Sequence, residues 1–143
     1  MPNLFGRASA VEADHAHLRD AWKRLRQLAG AQGPAAEPHA ELWPLILVFG
    51  RELREHFSAE EEGGYFGALV EERPELSSQI EHLRIEHQEI AALVTDLEAS
   101  SPGWNAELRL QLGQLLDRFQ QHERAEAKIL QDFFGRDQGG EGP

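Results

Sequence analysis

A chain of 143 residues is the size of one domain built on a single sizeable core. Its 14 Lys and Arg stand against 25 Asp and Glu, a net charge of −11, which argues against nucleic acid because tracking phosphates needs concentrated basic residues. The absence of Cys excludes disulfide scaffolds, zinc fingers, iron–sulfur centres and thiol chemistry, and no run of about 18 apolar residues offers a membrane span.

Four segments carry apolar residues at alternating three- and four-residue steps, the mark of a helix with one buried stripe. The first reads Val11, His15, Leu18, Trp22, Leu25 and Ala29, and Gly30 with Gly33-Pro34 stops it. A linker rich in Ala, Gly and Pro runs to Pro38. The second segment reads Leu42, Ile46, Phe49, Leu53, His56 and Glu60, and Pro44 fits it only in the first turn. Gly63-Gly64 interrupt this segment, and a short helical piece over Tyr65 to Glu72 precedes Pro74. The third reads Leu76, Ile80, Leu83, His87, Ile90, Val94 and Leu97, ending in a Ser-Ser-Pro-Gly turn. The fourth reads Leu108, Leu112, Leu115, Phe119, His122, Glu126, Ile129 and Phe133. Strand signals are absent. The expected fold is all-α, an antiparallel up-down four-helix bundle over residues 1–135, with a disordered glycine-rich tail over 136–143. Residues 1–10 lack the apolar segment of a signal peptide, and Glu12 and Asp14 do not suit a transit peptide, so a cytoplasmic location is expected.

Every helix breaks its own apolar stripe with a polar residue: His15, then His56 and Glu60, then His87, then His122 and Glu126. Each such group left unsatisfied in a core costs about 1–3 kcal/mol, and a buried carboxylate more. Counting a rise of about 1.5 Å per residue from the helix ends at one end of the bundle puts the four His roughly 18–27 Å down, within the error of the ends. They therefore share one layer, and Glu60 and Glu126 lie one turn beyond their His on the same faces. A lone His on a buried stripe is more often a hydrogen-bonded core residue than a ligand. Four at one level with two carboxylates favour a metal centre.

Imidazole suits iron, zinc or copper, and carboxylates can bridge two hard ions. Six ligands exceed what one structural zinc takes. They fit two six-coordinate ions that share carboxylates, in a bundle core of the kind that hosts di-iron centres.

These residues resemble a known family. The segments Asp14-His15-Ala16-His17-Leu18, His56-Phe57-Ser58-Ala59-Glu60-Glu61, Glu86-His87 and His122-Glu123-Arg124-Ala125-Glu126 look like those of hemerythrin-like proteins of the bacterial HHE cation-binding type, from Asp14 to about Asp137. The resemblance implies two non-haem iron ions, bridged by carboxylates and by an oxo or hydroxo group. It makes His15, His56, His87 and His122 terminal metal ligands and Glu60 and Glu126 bridges. Two positions depart from the oxygen-carrying hemerythrins. Those have a second His four before the third-helix ligand, where this chain has Leu83. They have Asp five after the fourth-helix His, where this chain has Ala127 and offers Glu126 instead. Metal binding follows from the pattern more directly than reversible oxygen carriage does.

His82, five residues before His87 and so about 140° round an ideal helix, flanks the seam, and only a π-bulge would turn it inward as a fifth His ligand. His17, about 200° from His15, faces solvent, as His39 in the linker does. Glu61 and Glu62 read first as facing solvent and second as supporting a ligand or ligating the metals themselves. Tyr65 reads first as a packed aromatic with a solvated hydroxyl and second as a hydrogen-bond donor to a ligand at the metals. Trp22, Trp43 and Trp104 read as packing.

The leading functional expectation is a binding protein for a small ligand such as oxygen, nitric oxide or peroxide, in sensing, sequestration or carriage. The alternative is iron handling or protection from oxidative stress, including a peroxide-reducing di-iron enzyme. No substrate pocket, nucleophile constellation or phosphate loop marks a turnover enzyme.

Overall fold

The computed structural model describes residues 4–30, 40–100 and 105–139, with side chains from residue 10 to residue 135 of these. Five helices follow one another: α1 (Leu4–Gly30), α2 (Leu42–Glu61), α3 (Tyr65–Glu72), α4 (Ser77–Ala99) and α5 (Ala106–Gly139), with a single 3-10 turn at Pro74–Leu76 before α4. The four long helices are those read from the stripes, and there is no strand among the described residues. No described helix is long and apolar enough to cross a membrane. The linker to Pro38, His39, the turn over 101–103 and Trp104 lie outside the described residues.

Helix α1 packs on α2, α2 on α4, α4 on α5, and α5 returns to α1, which closes a four-helix ring. Two apolar clusters show how the helices run. One joins Leu18, Leu25 and Leu28 of α1 with Leu42 to Phe57 of α2, Ile90 to Leu97 of α4 and Leu108 to Phe119 of α5. It thus unites the later half of α1 with the earlier part of α2, and the later half of α4 with the earlier half of α5, as an antiparallel bundle requires. The second cluster holds Val11, the α3 residues Tyr65, Phe66 and Leu69, then Leu76, Ile80, Leu83, Ile129 and Phe133. Between the two clusters, on every long helix, sits a polar residue.

Local chemistry sets the element ends. Pro44 is the third residue of α2, where its missing N–H breaks no helical bond. Arg73 precedes Pro74 and is extended (φ −137°, ψ 87°), as a residue before proline prefers, so α3 ends there. Asn105 opens α5: its side chain accepts from the Leu108 N–H at 2.8 Å and its carbonyl from the Arg109 N–H at 3.0 Å. Helix α5 runs through Gly135 to Gly139, so residues 136–139 are helical where a disordered tail was expected. One glycine costs a helix only about 1 kcal/mol against alanine, too little to end it alone. Residues 140–143 lie outside the described residues.

The glycine pair matters most for the site, because it turns the chain from α2 into α3. The Ser58 carbonyl accepts from both the Glu62 and Gly63 N–H groups, and Gly64 takes a left-handed φ of 87°. A Cβ on Gly63 would lie 2.3 Å from the Ala59 carbonyl oxygen, a backbone atom that cannot swing aside. Gly63→Ala is therefore expected to destabilise the fold by about 1–3 kcal/mol, the usual cost of forced overpacking. The check is the midpoint of urea unfolding; an unchanged midpoint would show that the turn relaxes freely.

Candidate metal centre

His15 lies one turn along α1 from Val11, and His87 one turn along α4 from Leu83. Each stands on the stripe that buries its helix, so packing the stripe carries the imidazole inward. His56 with Glu60 on α2 and His122 with Glu126 on α5 do the same at four-residue spacing. All six are buried; Glu60 is 0% and Glu126 1% exposed.

The six sort into two groups of four. His15, His56, Glu60 and Glu126 form one, and Glu60, His87, His122 and Glu126 the other; in each, one ligand atom per residue lies within 4.8 Å of all the others. The carboxylates belong to both. Glu126 points Oε1 at His15 Nε2 (3.4 Å) and Oε2 at His122 Nε2 (3.5 Å). Glu60 Oε1 lies 3.3 Å from His56 Nε2 and 3.2 Å from His87 Nε2. The paired rings are close, with centroids 4.6 Å apart for His15 and His56 and 4.7 Å for His87 and His122.

Despite this crowding, Nε2 of His56, His87 and His122 and all four oxygens of Glu60 and Glu126 have no hydrogen-bond partner. Orphaned atoms of this number in one core layer are costly, since each buried unsatisfied group forfeits about 1–3 kcal/mol. A shared pair of cations would satisfy all of them at once, and nitrogen and carboxylate donors suit iron. The residues present fit a pair of metal ions.

Electrostatics within the layer follow from burial and neighbours. Burial, with Glu126 beside it, holds the Glu60 carboxyl well above the usual carboxylate range. Burial acts on Glu126 in the same direction but is outweighed by Glu60, His122 and His15, which hold it well below that range. Burial works against protonation of His15 and His122, yet Glu126 overrides it and raises both. His87 is pushed by burial, with His122 next to it, down to about 3, so it stays neutral across the ordinary pH range with a lone pair available. His56 is lowered in the same way, by burial and by His15.

The walls are apolar and aromatic. Phe57 stacks on His87 (centroids 3.9 Å, planes 11° apart), and Phe66 lies near-parallel to the same ring at 5.4 Å. Tyr65 differs from its first reading: the residue is 1% exposed, and its hydroxyl is buried without a partner rather than solvated. Burial, then Glu126 and Glu60, raises its pKa, so it stays a protonated donor.

His82 does not join the layer. Helix α4 is regular through it, with no bulge to rotate the ring, and the side chain is 73% exposed, its Nε2 3.9 Å from Glu86 Oε2. His17 is exposed as expected and meets Glu52 at 3.1 Å. Trp22 is partly buried and donates Nε1–H to the Leu116 carbonyl at 2.8 Å, a packing role, and Trp43 also packs at the core margin.

Glu61 departs from its first, solvent-facing reading and matches the second, a residue that supports a ligand. It lies 2.5 Å from His87 Nδ1, on the side of the ring away from the carboxylate pair. Glu86 lies 2.7 Å from His122 Nδ1, and Asp14 3.4 Å from His56 Nδ1. Each acid is the sequence neighbour of an inward-facing residue, and each reaches the His of the next long helix in chain order. An acid one residue from a stripe position sits about 100° round the helix, at the seam with its neighbour. That adjacency was the available signal, and it was masked by a sequence in which acids are everywhere.

A bundle whose core layer gathers two His-and-carboxylate groups about shared Glu60 and Glu126 is built for cations. The chain belongs to the hemerythrin HHE cation-binding family, whose domain matches residues 7–134. Comparison with curated proteins and with solved structures found no significant match.

Proposed function

We propose that the chain is a non-haem di-iron protein that binds a small ligand such as oxygen, nitric oxide or peroxide between its four helices. The observation that carries this reading is the pair of donor groups sharing two buried carboxylates whose oxygens have no other partner. His15 and His56 would hold one ion, His87 and His122 the other, and Glu60 and Glu126 both. An iron pair held this way supplies redox chemistry and, with two His and two shared carboxylates per ion, coordination positions that the protein leaves free.

The protein's own contribution is orientation and exclusion. Phe57 and Phe66 keep water from His87, and burial keeps His87 and His56 neutral, as ligation requires. The Tyr65 hydroxyl supplies a protonated donor within the electrostatic reach of both carboxylates, suited to a small ligand with a basic atom.

The test is metal analysis together with a visible absorption spectrum of protein expressed with iron, reduced and then exposed to air. Two iron ions per chain with ligand-to-metal bands support the reading. No metal after iron-supplemented expression overturns it, and sustained consumption of added peroxide would move the function to a peroxide-reducing enzyme.

A further inference from the structure

We propose that the two metal positions are unequal: Glu61 and Glu86 are positioning residues that make the His87/His122 position the tight one and leave the His15/His56 position exchangeable. This rests on the di-metal reading above and concerns residues that the reading itself does not use.

An imidazole that ligates through Nε2 carries its proton on Nδ1, and an acceptor there fixes both tautomer and ring orientation. The acceptors are distributed unevenly. On the α4/α5 side, Glu61 is 2.5 Å from His87 Nδ1 and Glu86 is 2.7 Å from His122 Nδ1, distances of charge-assisted hydrogen bonds. Both carboxylates are sheltered, with side chains 33% and 16% exposed. On the α1/α2 side, Asp14 is 3.4 Å from His56 Nδ1 and 55% exposed, and Glu12 is 3.9 Å from His15 Nδ1, beyond hydrogen-bond reach, and 66% exposed.

The reason lies in a ring of contacts that fails to close. Asp14 of α1 faces His56 of α2, Glu61 of α2 faces His87 of α4, and Glu86 of α4 faces His122 of α5. The next step would take Glu123, the neighbour of His122, to His15 of α1. Glu123 instead accepts from Arg19 Nε at 3.0 Å. His15 is thus the one His of the four without a hydrogen-bonded carboxylate on Nδ1 among the described residues. Ring packing repeats the asymmetry: His87 is stacked by Phe57, which also meets His122 edge-on at 5.5 Å. His56, by contrast, lines a surface cleft of about 230 Å³ together with Asp14, His17, Glu52 and Glu55, an acidic approach for a cation on the exchangeable side.

The probe is Co(II), titrated into metal-free full-length protein and followed by calorimetry and by its visible d–d bands. The expected result is two steps, the first ion bound at least tenfold more tightly than the second. Glu61→Ala and Glu86→Ala should each weaken the first ion by about 10–100-fold, the usual effect of removing the partner of a ligating His. Glu61→Gln, whose amide oxygen still accepts from Nδ1–H, should recover most of that loss. Asp14→Ala, which removes the acceptor at His56 Nδ1, should weaken only the second ion. A merely structural role for Glu61 would lower both affinities together and would not be rescued by Gln. Two ions bound with equal affinity by the parent protein, or Asp14→Ala weakening the first ion as much as Glu61→Ala does, overturns the proposal while leaving the di-metal reading in place. Binding of no ion by the parent protein overturns both.

Discussion

Glu126→Ala is expected to lower the metal content of protein expressed with iron from the proposed two ions per chain to one or none, and Glu60→Ala to do the same. The expectation follows from how each carboxylate is shared. Glu126 divides its two oxygens between His15 and His122, and Glu60 presents one oxygen to His56 and His87, all at 3.2–3.5 Å. Deleting either therefore removes a donor from both positions, whereas deleting one His removes a donor from one. His87→Ala should accordingly leave one ion. His17→Ala and His82→Ala should leave two, because both rings are exposed, away from the layer. Elemental analysis after gel filtration reads all five variants on one scale. Two ions retained in Glu126→Ala would show that the carboxylate does not bridge, and a loss in His82→Ala would show that α4 rearranges when it is loaded.

Stripping the metal is expected to lower the melting temperature by roughly 10–20 °C at neutral pH. Ions present at about a thousand times their dissociation constant stabilise the native state by about 4 kcal/mol. In a chain of this length each kcal/mol moves the midpoint by roughly 2–8 °C. The difference between loaded and stripped protein should shrink as the pH falls, and the direction can be worked out group by group. In the stripped protein His15, His122 and Glu60 have raised pKa values, so their protonated forms stabilise the fold at low pH, and that contribution is lost as pH rises through the raised values. His87 works the other way: it stays neutral to about 3 while the unfolded chain takes up its proton near 6.5, so it costs stability as the pH drops between the two. With the proposed six ligands, metal binding would need all four imidazoles neutral and both carboxylates ionised, and so would expel the protons that His15, His122 and Glu60 hold. Loading is thus weakest in acid. Calorimetric melting of both forms from pH 8 to pH 5 tests this; a constant gap would mean that no proton leaves on binding.

The helices and their inward faces were readable in the chain because every one of them carries a long stripe at helical spacing. The interruptions of those stripes were as informative as the stripes. His15, His56, His87 and His122 fall at one level only if four separate helices have matching lengths, and the two cores above and below that level show that they do. What the stripes do not encode is the surroundings of each side chain. Glu61 and Glu86 lie at seam positions, where a carboxylate facing water and one facing the neighbouring His look alike in sequence. Tyr65 turns inward because Gly64 adopts a left-handed backbone, and the ring's burial depends on where the turn aims α3. Gly135 read as an end but sits inside α5, since a lone glycine only weakens a helix.

Every long helix contributes to the polar layer, and this bears on how the chain is held together as a polymer. His15 stands near one end of the sequence and Glu126 near the other, and they meet at 3.4 Å. An ion gripping both would close a loop spanning most of the chain, and its partner ion would close the shorter loops between α2, α4 and α5. Tying distant residues together restricts the unfolded ensemble, and the entropic benefit grows with the logarithm of loop length. A protein without cysteine would gain in this way the cross-linking that secreted domains obtain from disulfides, with bonds that form and release according to the supply of metal rather than the redox state of thiols. Ions would tie its distant helices together when metal is plentiful, and the folded bundle would lose those ties when metal is scarce.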